Sequence, residues 1–244
     1  MLNQKTAIVT GASRGIGAAI AKRLASEGAN VIVNYANSAK KADCVVAEIV
    51  AAKGQAIAIQ ADVSDQQQVN AMFEQAIQRY GQVDILVNNA ALSLEKPFVD
   101  STEQDLDRLF QTNIKGPFLT MQAAFKHLQT GGKIININST VQDLLLPNYS
   151  VYAATKGAMY MLMRGLVKEA ADRGLTINAV SPGATATEML IHTTDEALRQ
   201  TIAQQAALGR LGKPEDIANV VAFLAGPDAN WLTGQDIRAN GGWT

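Results

Sequence analysis

Short runs of Val and Ile alternate along this chain with longer stretches whose apolar residues recur at helical spacing, and no other feature constrains the fold as much. It is the pattern of βαβ units, in which each strand is buried on both faces and a crossover helix sets the next strand parallel to it. The pattern predicts strands at 6–10, 30–35, 56–61, 84–89, 133–138, 176–181 and 235–239. Helical segments are predicted to start near Gly15, Ala39, Asp65, Thr102, Ser150 and Pro214, with Ser64 and Gln67 as a capping pair before the third. No repeat, low-complexity tract or linker interrupts the 244 residues, 48% of them hydrophobic, so one α/β domain with a doubly wound parallel sheet is expected over 1–244. The stretch from Pro182 to Gly212 fits the rhythm least well and reads as a mobile lid, about 184–212, over a binding site.

The 21 Lys and Arg residues nearly balance 22 Asp and Glu, for a net charge of −1. A chain without a broad positive field is not expected to bind nucleic acid or anionic membrane. It has neither an apolar run of about eighteen residues nor a start resembling a secretion signal, so a soluble, cytoplasmic protein is expected. Cys44 is the only cysteine, which rules out an intrachain disulfide, and it reads as a packed or half-exposed helical thiol. No Cys, His and Asp set has metal-ligand spacing, and no catalytic metal is expected.

The first strand runs into Thr10-Gly11-Ala12-Ser13-Arg14-Gly15-Ile16-Gly17, ahead of an amphipathic helix. Glycines there permit a tight turn and let the helix's opening amides approach a pyrophosphate, whose charge the helix dipole favours. Arg14 puts a cation at the helix start, which opposes the dipole by about 0.3–1 kcal/mol unless an anion lies nearby. A NAD site commonly carries Asp or Glu about 20 residues further on. Here the stretch reads Asn34-Tyr35-Ala36-Asn37-Ser38, with no carboxylate to repel a 2′-phosphate, so NADP(H) is the expected cofactor. Asp62 and Val63 close the third strand, where the carboxylate serves either an adenine amino group or a turn. Asn89, Ala90 and Ala91 follow the fourth strand at the carboxyl edge, where parallel sheets bind ligands.

Ser139 ends the fifth strand, and Tyr152 and Lys156 follow at helical i, i+4 spacing. The spacing brings the Lys156 ammonium beside the Tyr152 phenol, which is expected to lower the phenol's ionisation and fit it for proton transfer. Ser139 is placed to donate to a substrate oxygen. Tyr149 has Ala153 at its own i+4 position and lacks the cation, so a substrate contact or packing role falls to it.

Taken in order, the Thr10 to Gly17 turn, Asn88-Asn89-Ala90, Asn113, Ser139, Tyr152, Lys156 and Pro182-Gly183 resemble the signature set of the short-chain dehydrogenase/reductase family over essentially the whole chain. Ala91 stands where that family's motif normally continues with Gly. The resemblance implies a Rossmann-type sheet of seven parallel strands, often in homotetramers. It implies catalysis by Asn113, Ser139, Tyr152 and Lys156, with Asn113 holding a water that links Lys156 to solvent. It also implies nucleotide contacts from Gly11, Ser13, Arg14, Gly15, Ile16, Gly17, Tyr152 and Lys156, and from Pro182, Gly183, Ala184 and Thr187 around the carboxamide. Within the family the chain is similar to 3-oxoacyl-carrier-protein reductases and to tetrahydroxynaphthalene-reductase-like members.

On the substrate side, Ser139, Val141, Leu145, Tyr149, Tyr152, Met189 and His192 are the expected contacts, mostly apolar, and they suit a hydrophobic or aromatic ketone or alcohol. Trp231 and Trp243 read as subunit contacts. The resulting expectation is an NADPH-dependent carbonyl reductase or alcohol dehydrogenase. The alternatives are 3-oxoacyl-carrier-protein reduction and, in another class, a non-catalytic NADP-sensing regulator.

Overall fold

The computed structural model describes residues 1–144 and 146–244, and the backbone only of Met189, His192 and Thr193. Seven strands, β1 (Thr6–Val9), β2 (Asn30–Tyr35), β3 (Gln55–Gln60), β4 (Val83–Asn88), β5 (Leu128–Ile137), β6 (Thr176–Pro182) and β7 (Asp236–Ala239), make one sheet. All pairs are parallel, in the order β3-β2-β1-β4-β5-β6-β7. The chain winds outward from β1 in both directions, so the order reverses between β1 and β4 and opens a crevice beyond their carboxyl ends. The expected seven-stranded, doubly wound architecture is the one found.

Period-two alternation builds the core. In β1, Ala7 and Val9 face one side and Ile8 the other, and Val31, Val33 and Ile32 of β2 repeat the pattern. One face packs under α1 (Gly15–Ser26), α2 (Ala39–Ala51) and α9 (Pro214–Ala225). The other packs under α3 (Gln66–Tyr80), α5 (Gly116–His127) and α6 (Ser150–Asp172). Ile8, Ile32, Leu86 and Ile134 are fully buried, each contributing about 1.5–3 kcal/mol of hydrophobic stabilisation.

Three departures from the sequence expectations bear on the site. Asp65, not Ser64, caps α3, accepting from the Gln67 and Gln68 amides, because Asp62 Oδ1 already holds the Ser64 amide and hydroxyl at 2.9 and 2.8 Å. The single helix expected from Thr102 is instead α4 (Glu103–Phe110), a π-helical turn at Gln111–Lys115, and α5. Pro117 explains the wider turn, since it has no N–H to give the Asn113 carbonyl four residues earlier. The stretch after β6 carries two helices of its own, α7 (Glu188–Thr193) and α8 (Glu196–Gln205). Its neck is closed by a parallel bridge between Thr185 and Gly212, with Ala186 N donating to Gly212 O at 2.8 Å.

Candidate functional site

The carboxyl end of β5 presents Ser139, whose hydroxyl oxygen accepts from the Val141 amide at 3.2 Å and so begins a short 3-10 turn. One helix further on, α6 carries Tyr152 and Lys156 on one face. Lys156 Nζ lies 5.7 Å from the Tyr152 ring centroid and donates to the Ile137 carbonyl at 2.9 Å. Lys156 is only 2% exposed, and burial pulls its ammonium ionisation down to about 8. Tyr152 ionisation is pushed up to about 12 by burial, opposed by a hydrogen bond with Ser139. Desolvation therefore leaves the phenol raised, against the expectation that Lys156 would lower it. The phenol stays protonated at neutral pH.

Asn113 sits in the π turn and is 1% exposed. Its Nδ2 donates to Leu92 O at 2.8 Å and to Thr155 Oγ1 at 3.0 Å, and its Oδ1 accepts from Leu92 N at 2.8 Å. The side chain thus locks the loop after β4 to α6, next to Lys156 in sequence, while the main chain widens around it. Sequence reasoning placed Asn113 but missed Thr155, its partner, because a Thr inside a helix carries no signal of its own.

At the nucleotide end, Gly11 turns with φ +61°, and a Cβ there would come within 2.8 Å of Ala90 Cα. A Cβ on Gly17 would press into Asn89 Nδ2 and lie 2.6 Å from Gly11 O. Glycine at these two positions lets the β1 turn close on the Asn89-Ala90 strand end. Thr10 completes the join, its hydroxyl donating to Val87 O at 3.3 Å and accepting from the amides of Asn89 at 2.9 Å and Ala90 at 3.0 Å. The sequence marks Thr10 as the start of the glycine turn but gives it no bonding role.

The α1 N-terminus has no side-chain cap and no acidic residue in its first turn. Arg14 is exposed at that end and makes no ion pair among the described residues. Uncapped amides and an unpaired guanidinium together suit an anion. Asn37 is exposed and Ser38 half-buried beside α2, which Ser38 does not cap through its side chain. Asn34 is different: it is 1% exposed and turned inward, so it reaches a nucleotide only through the Gly11 turn that it holds. Tyr35 is half-buried against the core, and Ala36 offers its carbonyl to Gln60 at 2.9 Å. Asp62 takes the turn role through Oδ1, leaving Oδ2 unbonded among the described residues, and Val63 is buried beside Gly116.

Pro182 closes β6 and accepts from Thr140 Oγ1 at 2.8 Å, and Gly183 N donates to Ala239 O at 3.1 Å. Ala184 accepts from Gly212 N at 2.9 Å. Thr187 caps α7, and its methyl would lie 3.6 Å from a Cβ on Gly15, so the start of the 184–212 excursion stands against the glycine turn. Lys41 of α2 pairs with Glu188 of α7 at 2.6 Å, a link that local sequence patterns did not reveal.

Tyr149 stands edge-on to Tyr152 with centroids 6.4 Å apart, and its phenol donates to Glu95 Oε2 at 3.0 Å. Val141 is 7% exposed and offers little surface. Leu145 and the side chains of Met189 and His192, also expected at the substrate, lie outside the described residues.

The comparisons with known proteins agree with this fold. A family model described as Enoyl-(Acyl carrier protein) reductase matches residues 11–244. An uncharacterised oxidoreductase of Methylorubrum extorquens is 49% identical, over 99% of this chain and 98% of that protein. A 3-oxoacyl-(acyl-carrier-protein) reductase of Staphylococcus aureus is 44% identical, over 98% of this chain and 97% of that one. Among solved structures, the angucycline C-6 ketoreductase LanV with bound NADP superposes with a TM-score of 0.94 at 37% identity, covering 99% of this chain and 96% of that one. With the seven-stranded sheet and the Ser139, Tyr152 and Lys156 arrangement in hand, the chain is a member of the short-chain dehydrogenase/reductase family of oxidoreductases.

Proposed function

We propose that the chain is an NADPH-dependent ketone reductase acting on a hydrophobic or aromatic small molecule. The observation that carries the reading is the Tyr152 phenol, one helical turn from Lys156, whose Nζ lies 5.7 Å from its ring, and protonated at neutral pH. The Gly11 to Gly17 turn would hold NADPH, with Arg14, Asn37 and Ser38 able to bond its 2′-phosphate, and the bound cofactor would supply the hydride. Tyr152 Oη gives its proton to the carbonyl oxygen, and the Ser139 hydroxyl donates to the same oxygen and fixes its position. Lys156 is still largely cationic at neutral pH and favours the phenolate left behind. The Asn113 carbonyl, which Pro117 cannot satisfy, holds the water that returns a proton through Lys156. A phenol pushed up to about 12 is protonated at neutral pH, the form that carbonyl reduction uses.

The segment from 184 to 212 covers the substrate, with Tyr149 on the facing wall. Trp231, 98% exposed in the single chain, supports assembly into a homotetramer that buries it, and mass photometry tests this. Reduction of a 3-oxoacyl thioester is the second reading, favoured by the 44% identity to the Staphylococcus aureus enzyme. Initial rates with NADPH and NADH over aliphatic, aromatic and β-keto thioester substrates test both. Preference for NADPH on aromatic ketones is the expected result, a thioester preference selects the second reading, and no turnover with either cofactor overturns both.

A further inference from the structure

Glu95 lies on the loop that follows β4, where the chain leaves the carboxyl end of the sheet. Its Oε2 accepts from the Tyr149 phenol at 3.0 Å, and the Tyr149 ring meets the Tyr152 ring edge-on, planes 61° apart. One aromatic ring therefore separates a carboxylate from the proton-donating phenol. The two loops are also tied through backbone: Lys96 N donates to Asn148 O at 2.8 Å, and Asn148 adopts φ +69°, a left-handed conformation that Asn tolerates better than most residues. This tie fixes where the Glu95–Tyr149 pair stands.

Among the described residues no ion pair neutralises Glu95. The adjacent Lys96 sends its ammonium to Asp105 at 2.6 Å instead. Tyr149 keeps its proton, since burial and then the Glu95 carboxylate push its ionisation up to about 12. Glu95 is exposed, so its carboxylate meets solvent one ring away from Tyr152.

We propose that Glu95, positioned by Tyr149, is a specificity-determining residue that makes the substrate mouth select against anionic ketones and in favour of neutral or amine-bearing ones. The inference rests on the ketone-reductase reading and adds the charge class of its substrate. A fixed charge at the mouth acts at long range, changing the local concentration of a charged substrate, and weakens as salt screens it.

The test uses three methyl ketones of equal length ending in an ester, a carboxylate and an amine, reduced by the wild type, Glu95→Gln and Glu95→Lys. Gln keeps an acceptor for the Tyr149 phenol, so the wall stands and only the charge goes. The carboxylate-to-ester ratio of kcat/KM should rise about fivefold in Glu95→Gln and further in Glu95→Lys, while the amine-to-ester ratio falls. Added NaCl should move the wild-type ratios the same way. Ratios that match in all three proteins and ignore salt would overturn the proposal while leaving ketone reduction intact. A wild type that reduces none of the three ketones would overturn both.

Discussion

The Asn34 side chain accepts from the Gly11 amide through Oδ1 at 3.2 Å, while its Nδ2 donates to Ile59 O at 3.3 Å and Ala61 O at 3.0 Å. One buried amide thus ties the phosphate turn to the ends of β2 and β3, and each of its hydrogens has an acceptor. Asn34→Asp would turn a carboxylate oxygen toward those two carbonyls with no donor between them. A loss of about 3 kcal/mol or more is expected, a fall in Tm of about 6–12 °C for a chain this size, read by thermal denaturation. A change under about 2 °C would show that the contact carries little.

Tyr152→Phe would remove the proposed general acid and leave the glycine turn untouched. Turnover should fall by about 100-fold or more, with NADPH affinity by fluorescence titration within about twofold of the wild type. Retained turnover on every accepted ketone would remove Tyr152 from the mechanism.

Lys156 makes the fold pay for the chemistry. Its ionisation drops from 10.5 in the unfolded chain to about 8, so at neutral pH the folded chain buries a charge at a cost of about 3 kcal/mol. Between these values the folded chain has shed the proton and the unfolded chain has not, so stability rises with pH across that window. Lys156→Met should abolish turnover yet raise Tm at pH 7 by about 3–6 °C, after allowing for the lost bond to Ile137 O. The gain should shrink toward pH 10.5, which melting curves across that range would show.

The sheet, the glycine turn and the Ser139, Tyr152 and Lys156 set were legible because each is written in local spacing: period two for buried strands, i+4 for Tyr152 and Lys156, glycine beside a strand end. Asn34 was legible as a position but not in its role, since Asn-Tyr-Ala-Asn reads the same whether the first amide faces solvent or Ile59. The π turn at Asn113 was hidden in a long helical pattern, though Pro117 marked it. Ionisation of Tyr152 was misjudged because spacing reveals the neighbouring cation and not the depth of burial. Pairs such as Tyr149 with Glu95 and Lys41 with Glu188 join segments far apart in the chain, and only the fold brings them together.

Arg14 meets solvent at an uncapped helix start with no acidic partner among the described residues. If the 2′-phosphate supplies its counter-charge, Arg14→Ala should raise the KM for NADPH about 10- to 100-fold, as loss of a charge-assisted bond implies, and change the KM for NADH by less than about threefold. Equal effects on the two cofactors would instead assign Arg14 to the shared pyrophosphate.

Lys41 and Glu188 join the first turn of α2 to the first turn of α7 at 2.6 Å, with side chains 47% and 52% exposed. An exposed pair contributes about 0–1 kcal/mol, so Glu188→Gln should leave Tm within about 2 °C. The same energy weighs more locally, because α8 buries none of its side chains fully and, among the described residues, the rest of the excursion is tied at its ends, by the Thr185–Gly212 neck, Leu208 N to Gly241 O at 3.0 Å and Arg210 to Asp216 at 2.6 Å. A segment with few buried contacts opens at a small free energy, and removing part of that raises its open population directly. Limited proteolysis within 186–211 should therefore quicken about two- to fivefold in Glu188→Gln, and high salt should produce the same change in the wild type. Unchanged cleavage with a lowered Tm would place the pair in the global fold and not in holding the 184–212 excursion down.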